Sequence, residues 1–250
     1  MGFCLHQFSE ILEIRDAAKR PYILIGGQAV NYWAEEYLAQ EPLLKSLQPF
    51  TSQDIDFKGG REDVERIARQ LGLIPVYPPK VEMTALAGLI PLHIGGRASA
   101  IEVVRRIPGI SDRGAPPVIE AEYDGKAIRV LHPISLLACK LVLAATVSQQ
   151  DRQDVAHLRM LVPCVRAFLA DLLEEVELGE LSPGDWLKVV NQALKLTHTS
   201  RARKIEKAHN IHWLDILPLD AIAKSQSQKL KRFREQQLEQ GYRKSKGISI

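Results

Sequence analysis

A short apolar run, Tyr22-Ile23-Leu24-Ile25, stops at Gly26-Gly27, and further on the chain reads Thr51-Ser52-Gln53-Asp54-Ile55-Asp56-Phe57. An apolar run cut by paired glycines reads as a buried strand that turns into a helix. Residues two apart on a strand share a face, so Asp54 and Asp56 project together while Ile55 and Phe57 enter a core. Two like charges held side by side are costly unless a cation neutralises them. Hard carboxylate oxygens suit Mg²⁺ or Mn²⁺.

Ala100-Ile101-Glu102-Val103-Val104 places one acid inside an apolar strand. A buried carboxylate there needs a partner. Glu102 is therefore the candidate third metal ligand, completing a site able to hold two ions about 3.5–4 Å apart. Its plainer alternative is an ion pair with Arg97, Arg105 or Arg106. Gly26 and Gly27 let backbone approach a phosphate at a helix N-terminus, where N–H groups lack partners. A Gly-Gly dipeptide alone is common turn punctuation, and Gly95-Gly96 reads as only that.

Around these motifs the first 131 residues alternate between helical and strand patterns. Helices are predicted over 8–18, with Ser9 as a cap, over 29–39, and over 61–71, with Gly72 as the stop. Strands are predicted over 22–25, 53–58, 73–77, 85–94 and 99–106, the fourth interrupted by Pro91. Residues 118–131 read as a hairpin, with Asp124-Gly125 supplying the positive-φ pair of a type I′ turn. Strand signals then nearly vanish. Helices are expected over 133–147, with Pro133 in the first turn, over 152–161 and 165–176, and after Ser182-Pro183-Gly184-Asp185. The expected organisation is an α/β core over 1–131 built on a mixed sheet, a helical region over 132–223, and a basic, frayed tail over 224–250.

The chain has 250 residues, 46% of them hydrophobic and 25% charged, enough for a sizeable core and unlike a disordered or disulfide-stapled chain. No apolar run approaches the roughly 18 residues of a membrane span, and the first residues lack a signal peptide's basic start. No membrane association and a cytoplasmic location are therefore expected. Cys4, Cys139 and Cys164 stand far apart, as reduced thiols rather than disulfides or zinc ligands. From Lys188 onward 14 Lys/Arg face 5 Asp/Glu, whereas the first 187 residues hold 19 against 25. That split suggests an acidic working half and a basic half open to a polyanion such as RNA, held through phosphates by 201–204 and 229–234.

Strand, Gly26-Gly27, helix, Asp54-x-Asp56 and a later acid together resemble the DNA polymerase beta-like nucleotidyltransferase superfamily. The order of elements is most similar to the abortive-infection type II toxin nucleotidyltransferases of bacterial toxin–antitoxin systems, over residues 20–160. The resemblance implies a nucleotidyltransferase core with Asp54, Asp56 and Glu102 as catalytic and metal-binding acids on Mg²⁺ or Mn²⁺. It places Gly26, Gly27, Gln28, Lys140 and Asp154 at the nucleotide, with Lys140 facing phosphates and Asp154 positioning that helix or a cation. It implies transfer of a nucleoside monophosphate from an NTP to an acceptor hydroxyl, with tRNA as acceptor and a cognate antitoxin as partner. The 26 residues between Gly27 and Asp54 exceed the usual spacing and require an insertion around 43–50.

Two other readings remain open on the residues. Aminoglycoside and lincosamide nucleotidyltransferases share the Gly-Gly and Asp-x-Asp plan. A non-catalytic relative would act as a binding or antitoxin partner. Arg152 and His157 stand at an Arg-x4-His spacing found in some helical ribonucleases, a two-residue match too short to carry a reading.

Overall fold

The computed structural model describes residues 2–79, 84–111 and 113–235. Among them six strands, β1 (Ile23–Ile25), β2 (Ile55–Lys58), β3 (Leu86–Ile94), β4 (Arg97–Val104), β5 (Val118–Tyr123) and β6 (Lys126–Leu131), form one sheet. Their order is β3-β4-β2-β1-β6-β5. The sheet is mixed: β1 runs parallel to β6 and antiparallel to β2, and β2 runs parallel to β4. Pro91 is tolerated because β3 is an edge strand, where a missing N–H breaks no central ladder. Asp124 and Gly125 adopt φ 54° and 73° and close the β5–β6 hairpin.

The helices are α1 (Gly26–Glu36), α2 (Pro42–Lys45), α3 (Arg61–Leu71), α4 (Pro133–Thr146), α5 (Asp154–Leu178), α6 (Pro183–Thr197), α7 (Ser200–His209), α8 (Leu219–Lys224) and α9 (Gln228–Phe233). Val64, Ile67 and Ala68 bury one face of α3, and Gly72 at φ 66° ends it. Ser182 accepts a hydrogen bond from the Asp185 N–H at 3.1 Å and opens α6. His132 opens α4, its Nδ1 accepting from the Ile134 N–H at 3.2 Å. The α/β class read from the sequence is the class observed.

Several boundaries differ from expectation. The segment expected as a helix over 8–18 is a 3₁₀ helix over Leu5–Glu13, in which Leu5 and Phe8, three apart, share the buried face. Ser9 does not cap it; its hydroxyl donates to Asp124 at 2.8 Å. The run over 73–77 makes only the bridge Val76–Leu89, and Ile74 lies 84% exposed. The two helices expected over 152–176 are one, α5, which continues through Pro163. An internal proline costs a helix about 3 kcal/mol or more, and burial of Leu161, Val162, Cys164 and Val165 around it offsets that.

The change from strands to helices after Leu131 is not a break in the core. One hydrophobic cluster runs from Phe3 to Phe233. Trp33 on α1 donates its indole N–H to the Leu131 carbonyl at 2.9 Å, and α1, α4 and α5 pack on one another. The stretch expected as a frayed tail is folded at its start: α9 buries Leu230 and Phe233, the latter edge-on to Trp186. The rest of that stretch, 236–250, lies outside the described residues.

Candidate active site

Three adjacent strands bring the motif residues level with one another. Ile25, the last residue of β1, pairs with Asp56 on β2, and Asp56 pairs in turn with Glu102 on β4. The chain then turns at Gly26, whose φ is 68°, straight into α1. A β-carbon on Gly26 would collide with the Asp56 carboxyl group, so only glycine fits the corner. At Gly27 a β-carbon would collide with the Ser52 hydroxyl and lie 3.0 Å from the His157 ring.

Asp54 precedes β2 and accepts from the Ala100 N–H; burial raises its carboxyl above the usual range. Burial, then the charge of Glu102 and that of Asp54, push Asp56 up, against Lys140 and the Gly27 N–H. Burial and then Asp54 likewise raise Glu102, whose carboxyl lies within hydrogen-bonding reach of Asp56. The cation bearing on Glu102 is Arg152. Of the arginines expected beside Glu102, Arg97 lies over the Phe3 ring.

α4 and α5 supply the opposite wall. Lys140 and Asp154, both buried, pair at 2.9 Å, and Arg152 holds the other Asp154 oxygen at 2.6 Å. Burial works against the Asp154 anion, but Lys140 and Arg152 keep its carboxyl below the ordinary value. Asp54, Asp56, Glu102, Gly26, Gly27, Lys140 and Asp154 all line one cavity of about 490 Å³.

Gln28 stands apart from that group: its side chain does not line the cavity, which leaves only its backbone for a nucleotide contact. Its side chain is fully buried, donating to the Phe3 carbonyl at 3.0 Å and accepting from the Asn31 amide at 2.9 Å. It ties α1 to the N-terminal segment.

Three mutually repelling carboxyl groups, each with a raised pKa, form a hard-oxygen donor set that a divalent cation would relieve. The donor chemistry fits Mg²⁺ or Mn²⁺. As the side chains stand, however, no three His, Cys, Asp or Glu groups among the described residues are gathered in a coordinating cluster.

Sequence reasoning passed over Ser52, Arg152 and His157 as cavity residues, although all three line it. The signal for Ser52 was its place two residues before Asp54. Arg152 and His157 were noticed as an Arg-x4-His pair, a spacing that says nothing of a shared cavity with Asp154.

No family model matches the chain, and no curated protein matches it. Among solved structures the chain is similar to an antigenic nucleotidyltransferase-like protein from Paracoccidioides brasiliensis. The match has 11% identity and a TM-score of 0.44, covering 77% of this chain and 95% of that one. A likeness of that degree carries no argument, and what the chain does has to be read from the cavity itself.

Proposed function

We propose that this chain is a divalent-cation-dependent nucleotidyltransferase that moves a nucleoside monophosphate from an NTP to an acceptor hydroxyl. The observation that carries the reading is the level alignment of the Gly26 corner, Asp56 and Glu102 across three neighbouring strands, facing Lys140 over one cavity. Asp54, Asp56 and Glu102 would hold a divalent cation, which would neutralise the charge that develops on the transferring phosphoryl group. Gly26 and Gly27 bring the first turn of α1 close against Asp56 and Ser52, so the positive end of the helix faces phosphate oxygens in the cavity. Lys140, held in place by Asp154, balances phosphate charge from the opposite wall. Glu102, level with Asp56 and facing the cavity, takes the proton from the acceptor hydroxyl. The acceptor oxygen bonds to the α-phosphorus while the bond to the β-phosphate oxygen breaks, and pyrophosphate leaves.

The finer reading takes tRNA as the acceptor and a toxin, restrained by a cognate antitoxin, as the cellular role. What supports an RNA acceptor is α7. Its Arg201, Arg203, Lys204 and Lys207 are exposed, and the helix packs on α4, which carries Lys140. The test incubates protein with each α-labelled NTP, Mg²⁺ or Mn²⁺, and total tRNA. Label on RNA with the wild type and none with Asp54→Ala, Asp56→Ala supports the reading. Label on an aminoglycoside or lincosamide and none on RNA replaces the acceptor, and no transfer to any acceptor removes the enzyme.

A further inference from the structure

Among the polar groups of the cavity that the reaction above leaves unused, one is buried and unpartnered. His157, on the first turn of α5, is only 4% exposed, and neither of its ring nitrogens has a hydrogen-bond partner. Every other buried polar side chain of this wall is paired: Lys140 and Asp154 with each other, and Asp154 again with Arg152. A ring nitrogen buried without a partner is unfavourable in the free protein, so its retention calls for a ligand that supplies one.

The surroundings say which kind. The His157 ring lies against the start of α1, where a β-carbon on Gly27 would come within 3.0 Å of its Cε1 atom. That helix start is the positive end of an 11-residue helix, with the Gly27 N–H turned to the Asp56 carboxylate. Lys140 and Arg152 bear on the ring as cations and Asp154, paired with both, as an anion between them. Burial, with Lys140 and Arg152 adding to it, pushes the imidazole down to about 3, so the ring is neutral and carries one N–H. A neutral imidazole beside the start of α1 has an N–H to offer an anionic oxygen.

We propose that His157 is a nucleotide-contacting residue whose ring N–H donates to a non-bridging oxygen of the polyphosphate seated between the start of α1 and Lys140. The inference rests on the nucleotidyltransferase reading for the identity of the polyphosphate. It adds a contact from α5 to those from α1 and α4, so that three helices grip the leaving pyrophosphate.

The test uses the full chain and magnesium tripolyphosphate, which carries the phosphates without a base. His157→Phe keeps the ring volume and removes both nitrogens, and His157→Asn restores an N–H. Titration calorimetry should show His157→Phe binding tripolyphosphate about tenfold more weakly than wild type, with His157→Asn recovering part of the loss. The melting temperature of His157→Phe should be no lower than wild type, because the orphaned nitrogens are gone. Binding within twofold of wild type overturns the inference, as does a weaker binding that only follows a lowered melting temperature. Should the variants not fold, ring ¹⁵N spectra of the wild type decide: a His157 resonance unmoved by tripolyphosphate overturns the inference, and one that moves supports it. A wild type that transfers label from NTP while His157→Phe binds normally sinks this inference alone. A wild type that binds neither tripolyphosphate nor any NTP sinks the nucleotidyltransferase reading with it.

Discussion

The tightest constraint on a single residue is at Gly26. Its backbone sits at φ 68° and the space beside it belongs to the Asp56 carboxyl group. Gly26→Ala therefore meets both a strained backbone and a steric collision, and should lower stability by roughly 2 kcal/mol, read as a shifted urea midpoint. Lys140 and Asp154 set a second residue-scale test. Removing one partner of a buried ion pair costs about 3–5 kcal/mol when the other is left uncompensated. Asp154 serves two cations, whereas Lys140 leaves Arg152 still on the carboxylate. Asp154→Asn should thus destabilise more than Lys140→Met in thermal melts, and the double variant less than the sum. The acidic residues and the glycine corner were legible in the sequence because each departs from its apolar neighbourhood. That the Gln28 side chain turns away from the cavity was not legible, because adjacency to Gly27 says nothing of where a helical side chain points. His157, noticed only in its spacing from Arg152, was not placed in the cavity because its position there depends on Gly27 lying across the fold.

Among the elements, α3 and the β5–β6 hairpin were readable from local chemistry alone, an amphipathic stripe ended by Gly72 and an Asp-Gly turn. α1 was placed three residues late because nearly all of it is buried, Gly27 to Ala34 without a break, so no polar face marks its start. α5 was split at Pro163 because a local rule was overridden by packing on every side. The start of α4 offers a pH test. His132 Nδ1 must stay unprotonated to accept the Ile134 N–H, and burial pulls its pKa down to about 4. The unfolded chain takes up this proton near pH 6.5 and the folded chain only near 4. Stability is therefore intact above about 6.5 and falls through that window on acidification, by up to roughly 3 kcal/mol. His132→Asn keeps a capping acceptor and should flatten that part of the stability–pH curve measured in urea.

Across the whole molecule, one core joins the sheet to the helices, and the site lies where they meet. Magnesium should accordingly raise the melting temperature in a concentration-dependent way, since a ligand bound only by the folded state stabilises it by mass action. Asp54→Ala with Asp56→Ala should melt no lower than wild type without magnesium and show no rise with it, checked by differential scanning fluorimetry. The mixed sheet has a kinetic corollary. β2 and β4 run parallel, so α3 and β3 must be threaded between them before Asp56 and Glu102 become neighbours. Such distant pairings form late. The electrostatic tension between those acids is therefore missing while the chain collapses and present only once it has arrived. It shortens the lifetime of the finished protein without slowing its assembly.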